Sequence, residues 1–432
     1  MLIRLLVVAI GISGQAATDA PQVAAPKTVA TSAEIAALVR ELDAAEKARR
    51  DAAQAKLLEL GPGVLELLPA DAKTLPAETR VRLERIRGQL ERQRADASVR
   101  ASRVTLEADP LPLSQVLAAI TAQTGNQLID SRPMFGQQVR DPQVRLKFDK
   151  TPFWSALDQT LDEAGLTVYN FAGEGALALV ARSPELAPRA EGACYAGAFR
   201  VEVHELIARR ELRTPPGSGL ELNFEVAWEP RIKPIFFLQT TADFTARDDR
   251  GQPLVGTTKG SKVEITVNSA ATCIESTVHF ALPSRDAKRI ALFDGKLMAL
   301  LAGKSEEFRF AELEGAKRLT ERVAGCTVTL ENVVHNDEAW QFRLTVGYDQ
   351  ADRALESHRN WIFNNEVWLE TPTGEKLPYA SFETTRQGDN EIGVAYLFAG
   401  PKSLAGHKLV YRTPVAIVNL PVEFRLTDLE LP

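Results

Sequence analysis

Val104-Thr-Leu106-Glu-Ala-Asp109-Pro-Leu-Pro112-Leu113-Ser-Gln-Val-Leu117 runs on to Gly125-Asn-Gln-Leu128, and forty residues later the phrase returns. Its second form is Val144-Arg-Leu146-Lys-Phe-Asp149-Lys-Thr-Pro152-Phe153-Trp-Ser-Ala-Leu157, followed by Gly165-Leu-Thr-Val168. Val, Leu, Asp, Pro, Leu and Gly recur in register, so residues 104–181 read as one unit written twice. Each copy opens with alternating apolar residues, the pattern of a strand. A proline then stands where a first helical turn tolerates a missing N–H. In the first copy Leu113, Val116, Leu117 and Ile120 fall on one helical face. Gly125 and Gly165 suit the left-handed residue just past a helix end. A closing strand, Ala176-Leu-Ala-Leu-Val180, completes the pattern.

Outward from this unit, the chain of 432 residues has room for about three domains. Upstream, Arg4, the apolar run Leu5 to Ile12 and Gly14-Gln-Ala16 read as an export signal over 1–16. The apolar run is shorter than the roughly 20 residues that span a bilayer, and no transmembrane segment is expected in the mature chain. Residues 17–30, rich in Ala, Pro and Thr, read as a flexible leader. Thr31-Ser-Ala-Glu34 is a capping-box pattern. It opens a helix with Ile35, Leu38, Val39 and Leu42 on one stripe, continuing through Leu57, Leu58 and Leu60 to Gly61. A short helix (Val64 to Leu68) and a longer one (about Pro76 to Ala97) follow, giving a helical hairpin over 31–100.

Downstream, Pro184 to Pro188 reads as a linker. From about residue 195 short apolar runs alternate at period two between Gly, Pro, Asn and Asp turns, an all-β signature. A second duplication lies inside it. Phe199-Arg-Val201-Glu-Val203 matches Cys326-Thr-Val328-Thr-Leu330, and Leu222 to Trp228 matches Phe342 to Tyr348. Phe244 through Gly251 to Leu254 matches Val367 through Gly374 to Leu377. Met298-Ala-Leu-Leu301 corresponds to Val415-Ala-Ile-Val418, and Glu307-Phe-Arg-Phe-Ala-Glu-Leu-Glu314 to Glu423-Phe-Arg-Leu-Thr-Asp-Leu-Glu430. Two β-sandwiches are expected, 192–314 and 316–432, immunoglobulin-like in the broad sense. The fold class is thus α+β and multidomain.

Two resemblances add to this reading. Residues 101–185 resemble the secretin and TonB short N-terminal domain, a small βαβ-type domain of the bacterial envelope. The likeness rests on the strand phrases Val104 to Leu106 and Val144 to Phe148, the helices Pro112 to Thr124 and Pro152 to Ala164, and Gly125 and Gly165-Leu-Thr-Val168. The loop Asp130 to Pro142, carrying Phe135-Gly136, is longer than that pattern and departs from it. Residues 55–68 resemble one HEAT-type helical repeat. The first resemblance implies an envelope protein with a protein partner. The chain after residue 190 is occupied by the two soluble sandwiches, which leaves no room for a secretin pore or a receptor barrel.

Composition narrows the chemistry. A net charge of -6 supplies no basic face for nucleic acid. Arg80, Arg82, Arg85, Arg87, Arg92 and Arg94 alternate with Glu78, Glu84 and Glu91, an ion-paired helix face. Cys194, Cys273 and Cys326 show no Cys-x-x-Cys spacing. They leave open one Cys194–Cys273 disulfide with a lone thiol, or three buried unpaired thiols. His204, His279, His335, His358 and His407 lack zinc-site spacing. His335-Asn-Asp337-Glu338 reads as a turn between strands. Asp248-Asp249-Arg-Gly251 has the oxygen content of a cation loop but not its spacing. Its repeat counterpart, Thr371-Pro-Thr-Gly374, has no carboxylate before its glycine, which favours a hairpin tip. Gly256-Thr-Thr-Lys259-Gly260 reads as a turn between strands. Nucleophile-elbow, phosphate-loop and dinucleotide motifs are missing. No catalytic residue, metal ligand or cofactor is therefore assigned. Trp340, Trp361, Trp368 and Tyr379 read as core or rim, and Phe236-Phe237 as a buried strand. A non-catalytic envelope protein that binds or assembles with other proteins is the leading expectation. A carbohydrate-binding surface protein and a hydrolase of unrecognised type rank behind it.

Overall fold

The computed structural model describes residues 31–69, 75–170, 175–214, 217–257, 260–268, 271–336, 339–351, 354–355 and 361–432. The stretches read as export signal and leader, His358, Lys259 and the pair Asp337-Glu338 lie outside them. The protein is α+β, mostly strand, with several sheets and few helices. It divides into two compact units, 1–83 and 84–432.

In the first unit, α1 (Ser32–Glu41) begins at the expected capping box, where the Thr31 hydroxyl accepts the Glu34 N–H and Glu34 accepts the Thr31 N–H. The single helix expected up to Leu60 is broken. Leu42 ends α1 fully buried, and the chain turns before α2 (Lys47–Leu60). Arg50 donates to the carbonyls of Ala44 and Ala45, satisfying acceptors that a continuous helix would have used itself. A 3₁₀ turn (Pro62–Leu67) stands where a short helix was expected. Then comes α3 (Ala77–Ser98), where Arg82 pairs with Glu78 and Asp51, as an ion-paired face requires. The division between units falls inside α3 rather than at residue 100. Ala95 and Val99, near and just past its end, already belong to the core of the β structure that follows.

The twice-written phrase folds as a small α/β unit. It comprises β1 (Arg103–Pro112), α4 (Leu113–Thr124), β2 (Gln127–Asp130), β3 (Gln143–Pro152), α5 (Phe153–Ala164), β4 (Leu166–Tyr169) and β5 (Ala176–Ala181). The first two strands of the copies, β1 and β3, share one burial pattern and pair antiparallel. A second sheet runs β2-β5-β4, with β2 parallel to β5. Residues of both helices and both sheets form one core. Gly125 and Gly165 cap the helices with φ of 73° and 68°. Pro112 and Pro152 sit one residue earlier than expected, as extended caps outside the first turn. There they close each strand and still present no N–H to the helix.

The first β module holds β6 (Ala193–Ala196), β7 (Phe199–Arg209), β8 (Gly219–Trp228), β9 (Lys233–Thr240), β10 (Thr245–Asp248), β11 (Pro253–Leu254), β12 (Lys262–Thr266), β13 (Cys273–Phe280) and β14 (Arg289–Ala302). The second holds β15 (Ser305–Phe310), β16 (Lys317–Val323), β17 (Cys326–Asn336), β18 (Ala339–Tyr348), β19 (Glu366–Glu370), β20 (Lys376–Pro378), β21 (Ser381–Gln387), β22 (Glu391–Ala399) and β23 (Lys408–Pro414). The last strand is β24 (Ile417–Glu430). The duplication appears as matching strand orders. One sheet runs β13-β8-β7-β6 in the first module, and its counterpart runs β21-β22-β18-β17-β16. In the facing sheets, β11-β10-β14 corresponds to β20-β19-β23. Each pair of sheets encloses its own core.

The division expected at Gly315 does not follow the sheets. β15 pairs with β23 in the second module, while β24 returns to pair with β14 in the first. Both ladders keep one register, from Arg289 opposite Glu430 to Phe310 opposite Leu409. Gly303 and Val415 carry it across the junction by donating to Ala416 O and Lys304 O at 2.8 and 3.1 Å. The two matching phrases have thus changed places. Phe424 and Leu426 bury in the first core, and Phe308 and Phe310 in the second. Even the backbone repeats, with Glu312 and Asp428 both left-handed at φ 54° and 57°.

Candidate interaction surface

The small α/β unit rests on the outer face of the sheet β13-β8-β7-β6. Along a strand, side chains alternate between faces. Val201, Val226 and Ile274 point into the core, so Arg200, Glu202, Glu225 and Cys273 point outward. Arg200 is nevertheless fully buried. Its Nη1 donates to Asp158 Oδ1 of α5 at 3.0 Å and its Nη2 to Glu225 Oε1 at 2.9 Å. Its guanidinium lies 4.4 Å from the ring centre of Trp154, the second residue of α5. The Tyr195 hydroxyl donates to the other oxygen of Asp158 at 3.0 Å, and Asn170 Nδ2 to Glu225 Oε2 at 2.7 Å. Burial pushes Asp158 and Glu202 above the ordinary carboxylate range, against the pull of Arg200 and Arg189. Burial also pushes the Cys273 thiol up to about 12, so it is an inert neutral thiol.

A second anchor stands at the neighbouring corner. Glu229, fully buried, accepts from the Ser102 N–H and hydroxyl at 2.8 and 2.6 Å, from Asn126 Nδ2 at 2.9 Å and from Arg231 Nε at 2.7 Å. Arg231 in turn donates to the carbonyls of Ser98 and Arg100. Charges removed from water cost several kcal/mol each unless paired and hydrogen-bonded. Here Arg200, Asp158, Glu225 and Glu229 are each ion-paired or hydrogen-bonded, with Arg200 Nε left without an acceptor, and the partners come from both sides of the contact. The short unit is therefore fixed to the first β module rather than hung from a linker. Even residues 182–190 are tied down: Asp162 accepts from the Arg182 guanidinium and from the Arg189 and Ala190 N–H groups.

The opposite character appears at the loop between β2 and β3. Arg132 is buried, held by Asp130 at 2.7 Å and by the Arg140 carbonyl at 2.9 Å. Gln137 Oε1 accepts the Ala181 N–H at 2.8 Å. These bonds fix the loop while its apolar side chains face out. Met134 is 83% exposed, and Phe135 and Val139 are also exposed. Ile129 and Tyr169 stand level with Ala178 across the sheet β2-β5-β4, on the face away from the helices. The Phe135 ring meets Tyr169 edge-on at 5.3 Å. Contiguous apolar side chains on an otherwise solvated surface mark interaction sites.

The other residues singled out in the sequence are dispersed. Asp248 Oδ1 accepts the Gln252 N–H at 2.8 Å, closing a hairpin tip at Gly251. In the repeat, the Thr371 hydroxyl accepts the Glu375 N–H at 3.0 Å. A carboxylate and a hydroxyl thus perform one turn-closing task. His335 packs on Trp340 at 4.3 Å, next to the Asn336–Ala339 pair that brackets the expected turn. His204 and His279 lie exposed on β7 and β13. Among the described residues no group of three His, Cys, Asp or Glu is placed to hold a metal. Trp340 and Trp368 are buried, while Trp361 and Tyr379 are partly buried. Phe237 is core, and Phe236 is covered by Ala354 and Trp361.

The three cysteines are unpaired. Cys194 and Cys273 stand on the two edge strands of one sheet, facing opposite sides. Three strand spacings put them about 14 Å apart, beyond the reach of a disulfide. A cleft of about 320 Å³ lies where β14 leads into β15 and β23 into β24, bordered by Trp228, Lys233, Asn365 and Arg412. At its rim Arg412 pairs with Glu366 at 3.2 Å. The fixed, outward apolar loop was missed by sequence reasoning as a surface. Its signal was present in the departure of 130–142 from the family pattern.

No family model matches the chain, and no curated protein matches it. Two solved structures are similar over about half of it. One is a conserved domain protein from Bacillus anthracis, 9% identical, covering 55% of this chain and 89% of that one, with a TM-score of 0.15. The other comprises the manganese lipoxygenase of Gaeumannomyces graminis and part of the zonadhesin of Komagataella pastoris, 8% identical, covering 53% and 95%, with a TM-score of 0.13. At those scores neither likeness bears on fold or function. Among the described residues no helix is long and apolar enough to cross a membrane.

Proposed function

We propose that this chain is a non-catalytic exported protein of the bacterial envelope, periplasmic or at the cell surface, that binds or assembles with another envelope protein. Its short unit, read as a secretin/TonB short N-terminal-like domain, presents the docking face, and the two β modules, read as immunoglobulin-like sandwiches, carry it. The carrying observation is the apolar patch of Ile129, Met134, Phe135, Val139 and Tyr169. It sits on a unit whose other side is fastened by buried charges, so binding there does not have to order the loop first. The occupant that fits is an apolar protein surface. The N-terminal stretch read as an export signal and the short-domain resemblance support a partner in the envelope. The glycan reading asked for exposed co-planar tryptophans, whereas Trp340 and Trp368 are buried.

The test is in-cell crosslinking in the envelope fraction with the full chain and with Met134→Ser/Phe135→Ser. A specific adduct should form with the parent and be lost from the double variant, whose thermal midpoint should stay unchanged. An adduct that survives both substitutions, or no adduct in either form, overturns the assignment of the patch.

A further inference from the structure

We propose that Met134 is an oxidation site, and that one oxygen atom added to its sulfur closes the apolar face of the α/β unit to a protein partner. The modification stands on this chain alone, and its effect on a partner rests on the docking role proposed above. The sequence holds three methionines and three cysteines. Met1 lies outside the described residues, and of the other five Met134 is the exposed one, at 83%. Met298 is half-buried on β14, with Leu238 of β9 on one side in the sheet and Pro421 of β24 on the other. Cys273 and Cys326 are buried, and burial pushes both thiols up to about 12. At neutral pH they hold almost none of the thiolate that oxidants attack. Cys194 is half-buried and packs against the first core.

The backbone keeps this side chain in water. The Met134 N–H donates to Ser131 O at 3.0 Å, the Gln137 N–H to Arg132 O at 2.9 Å, and the Ser131 N–H ties the loop to Leu179 O at 2.9 Å. Gly136 turns the chain with φ of 66°. The reaction needs a hydroperoxide. A sulfur lone pair attacks its terminal oxygen, the S–O bond forms and the O–O bond breaks. The departing oxygen keeps the proton and leaves as water or an alcohol. Sulfur loses two electrons and the peroxide gains them. The product is a sulfoxide, a polar group where the thioether was apolar. Its oxygen wants a donor. Arg132, two residues away, already binds Asp130 through Nε and Nη2 and the Arg140 carbonyl through Nη1. Phe135, Val139, Ile129 and Tyr169 around it are apolar or aromatic. An apolar partner surface would therefore bury the sulfoxide oxygen without a hydrogen bond, which is unfavourable.

The purified full chain is treated with hydrogen peroxide, quenched at intervals and read by peptide mass spectrometry. Met134 should take up one oxygen roughly tenfold faster than Met298, with Cys273 and Cys326 still thiols and the thermal midpoint unchanged. Oxygen uptake at Met298 or at any cysteine as fast as at Met134 overturns the modification site. The oxidised chain, freed of peroxide, is then crosslinked in an envelope fraction. Its adduct should fall by roughly tenfold against the untreated chain and return after treatment with methionine sulfoxide reductases. Met134→Leu, whatever its own level of adduct, should lose none of it on the same treatment. An undiminished adduct from the sulfoxide form, or an equal loss in Met134→Leu, overturns the closing effect. No adduct from the untreated parent overturns the docking role and the closing effect with it, while the uptake rates still decide the modification site.

Discussion

The two β modules share a frame, yet their outward faces differ at matching positions. In the first, Arg200, Glu202 and Glu225 project from β7 and β8. In the second, Thr327, Thr329 and Thr345 occupy the same places on β17 and β18. Glu202 and Glu225 stand directly opposite each other in the ladder, a pairing that destabilises an open sheet. It is tolerated because Arg189 pairs with Glu202 and Arg200 with Glu225 under the docked α/β unit. The threonine face has a hydroxyl contact, Thr320 to Thr329 at 3.1 Å, and Arg322 Nη1 donates to Thr327 Oγ1 at 3.4 Å, with hydroxyls where the first module sets two carboxylates face to face. One duplicated frame thus serves as a mounting plate in the first copy. In the second it is an ordinary sheet extended by an extra edge strand. Charged residues at outward strand positions indicate a covered face once their like-charge pairing is recognised.

The hardest challenge to this comparison is to remove β24. A chain ending at Ala416 keeps every residue of β6 to β23. If the last strands are exchanged, the first module loses Val418, Val422, Phe424 and Leu426 from its core, while the second retains its own. Losing several buried apolar side chains at about 2–5 kcal/mol each exceeds the stability of an ordinary domain. Hydrogen exchange should therefore show protection collapsing over 199–301 and persisting over 326–411. The reverse pattern would restore the linear division at Gly315.

Next in size is Arg200→Met. It leaves Asp158 and Glu225 buried without their cation, a loss of about 3–5 kcal/mol, while Thr327→Val at the matching position should change little. The pH dependence supplies the mechanism. Burial already raises Asp158 in the folded state, and removing Arg200 raises it further. A raised carboxyl binds its proton more readily folded than unfolded. Stability of the variant should therefore rise as pH falls through the folded value and be lowest well above it. Denaturant unfolding between neutral and mildly acidic pH checks this. A deficit that does not shrink on acidification would mean that packing on Trp154, not charge, fastens the unit.

What could be read beforehand follows from how local each cause is. The βαβ repeat was legible because strand alternation, helix stripe and glycine cap all lie within one phrase. Helix breakage at Leu42 was not, since the apolar stripe continues through it and only burial shows the turn. The exchange of β15 and β24 left its signature in Glu307 to Glu314 and Glu423 to Glu430. Two equal phrases fit either sheet, however, and sequence order alone assigns each to its own half. The Arg200 cluster joins α5, β6, β7 and β8 across long separations, so no spacing announces it. The apolar loop was noted only as a departure in length.

The smallest effect tests the exchange at a single contact. Gly295 on β14 stands opposite Phe424 on β24, and the Phe424 ring lies over it where a side chain would project. At the matching point of the second module, Phe308 stands opposite Tyr411. The two strands end in nearly the same words, but the holes that receive them differ. Gly295→Ala should overpack this spot and destabilise by about 1–3 kcal/mol. The penalty comes from the ring and not from the backbone, so Phe424→Leu should relieve part of it. The double variant should then be less damaged than the two single losses added together, a coupling that contacting residues show and distant ones do not. Strict additivity would separate Gly295 from Phe424, and with them the last strand from the first module.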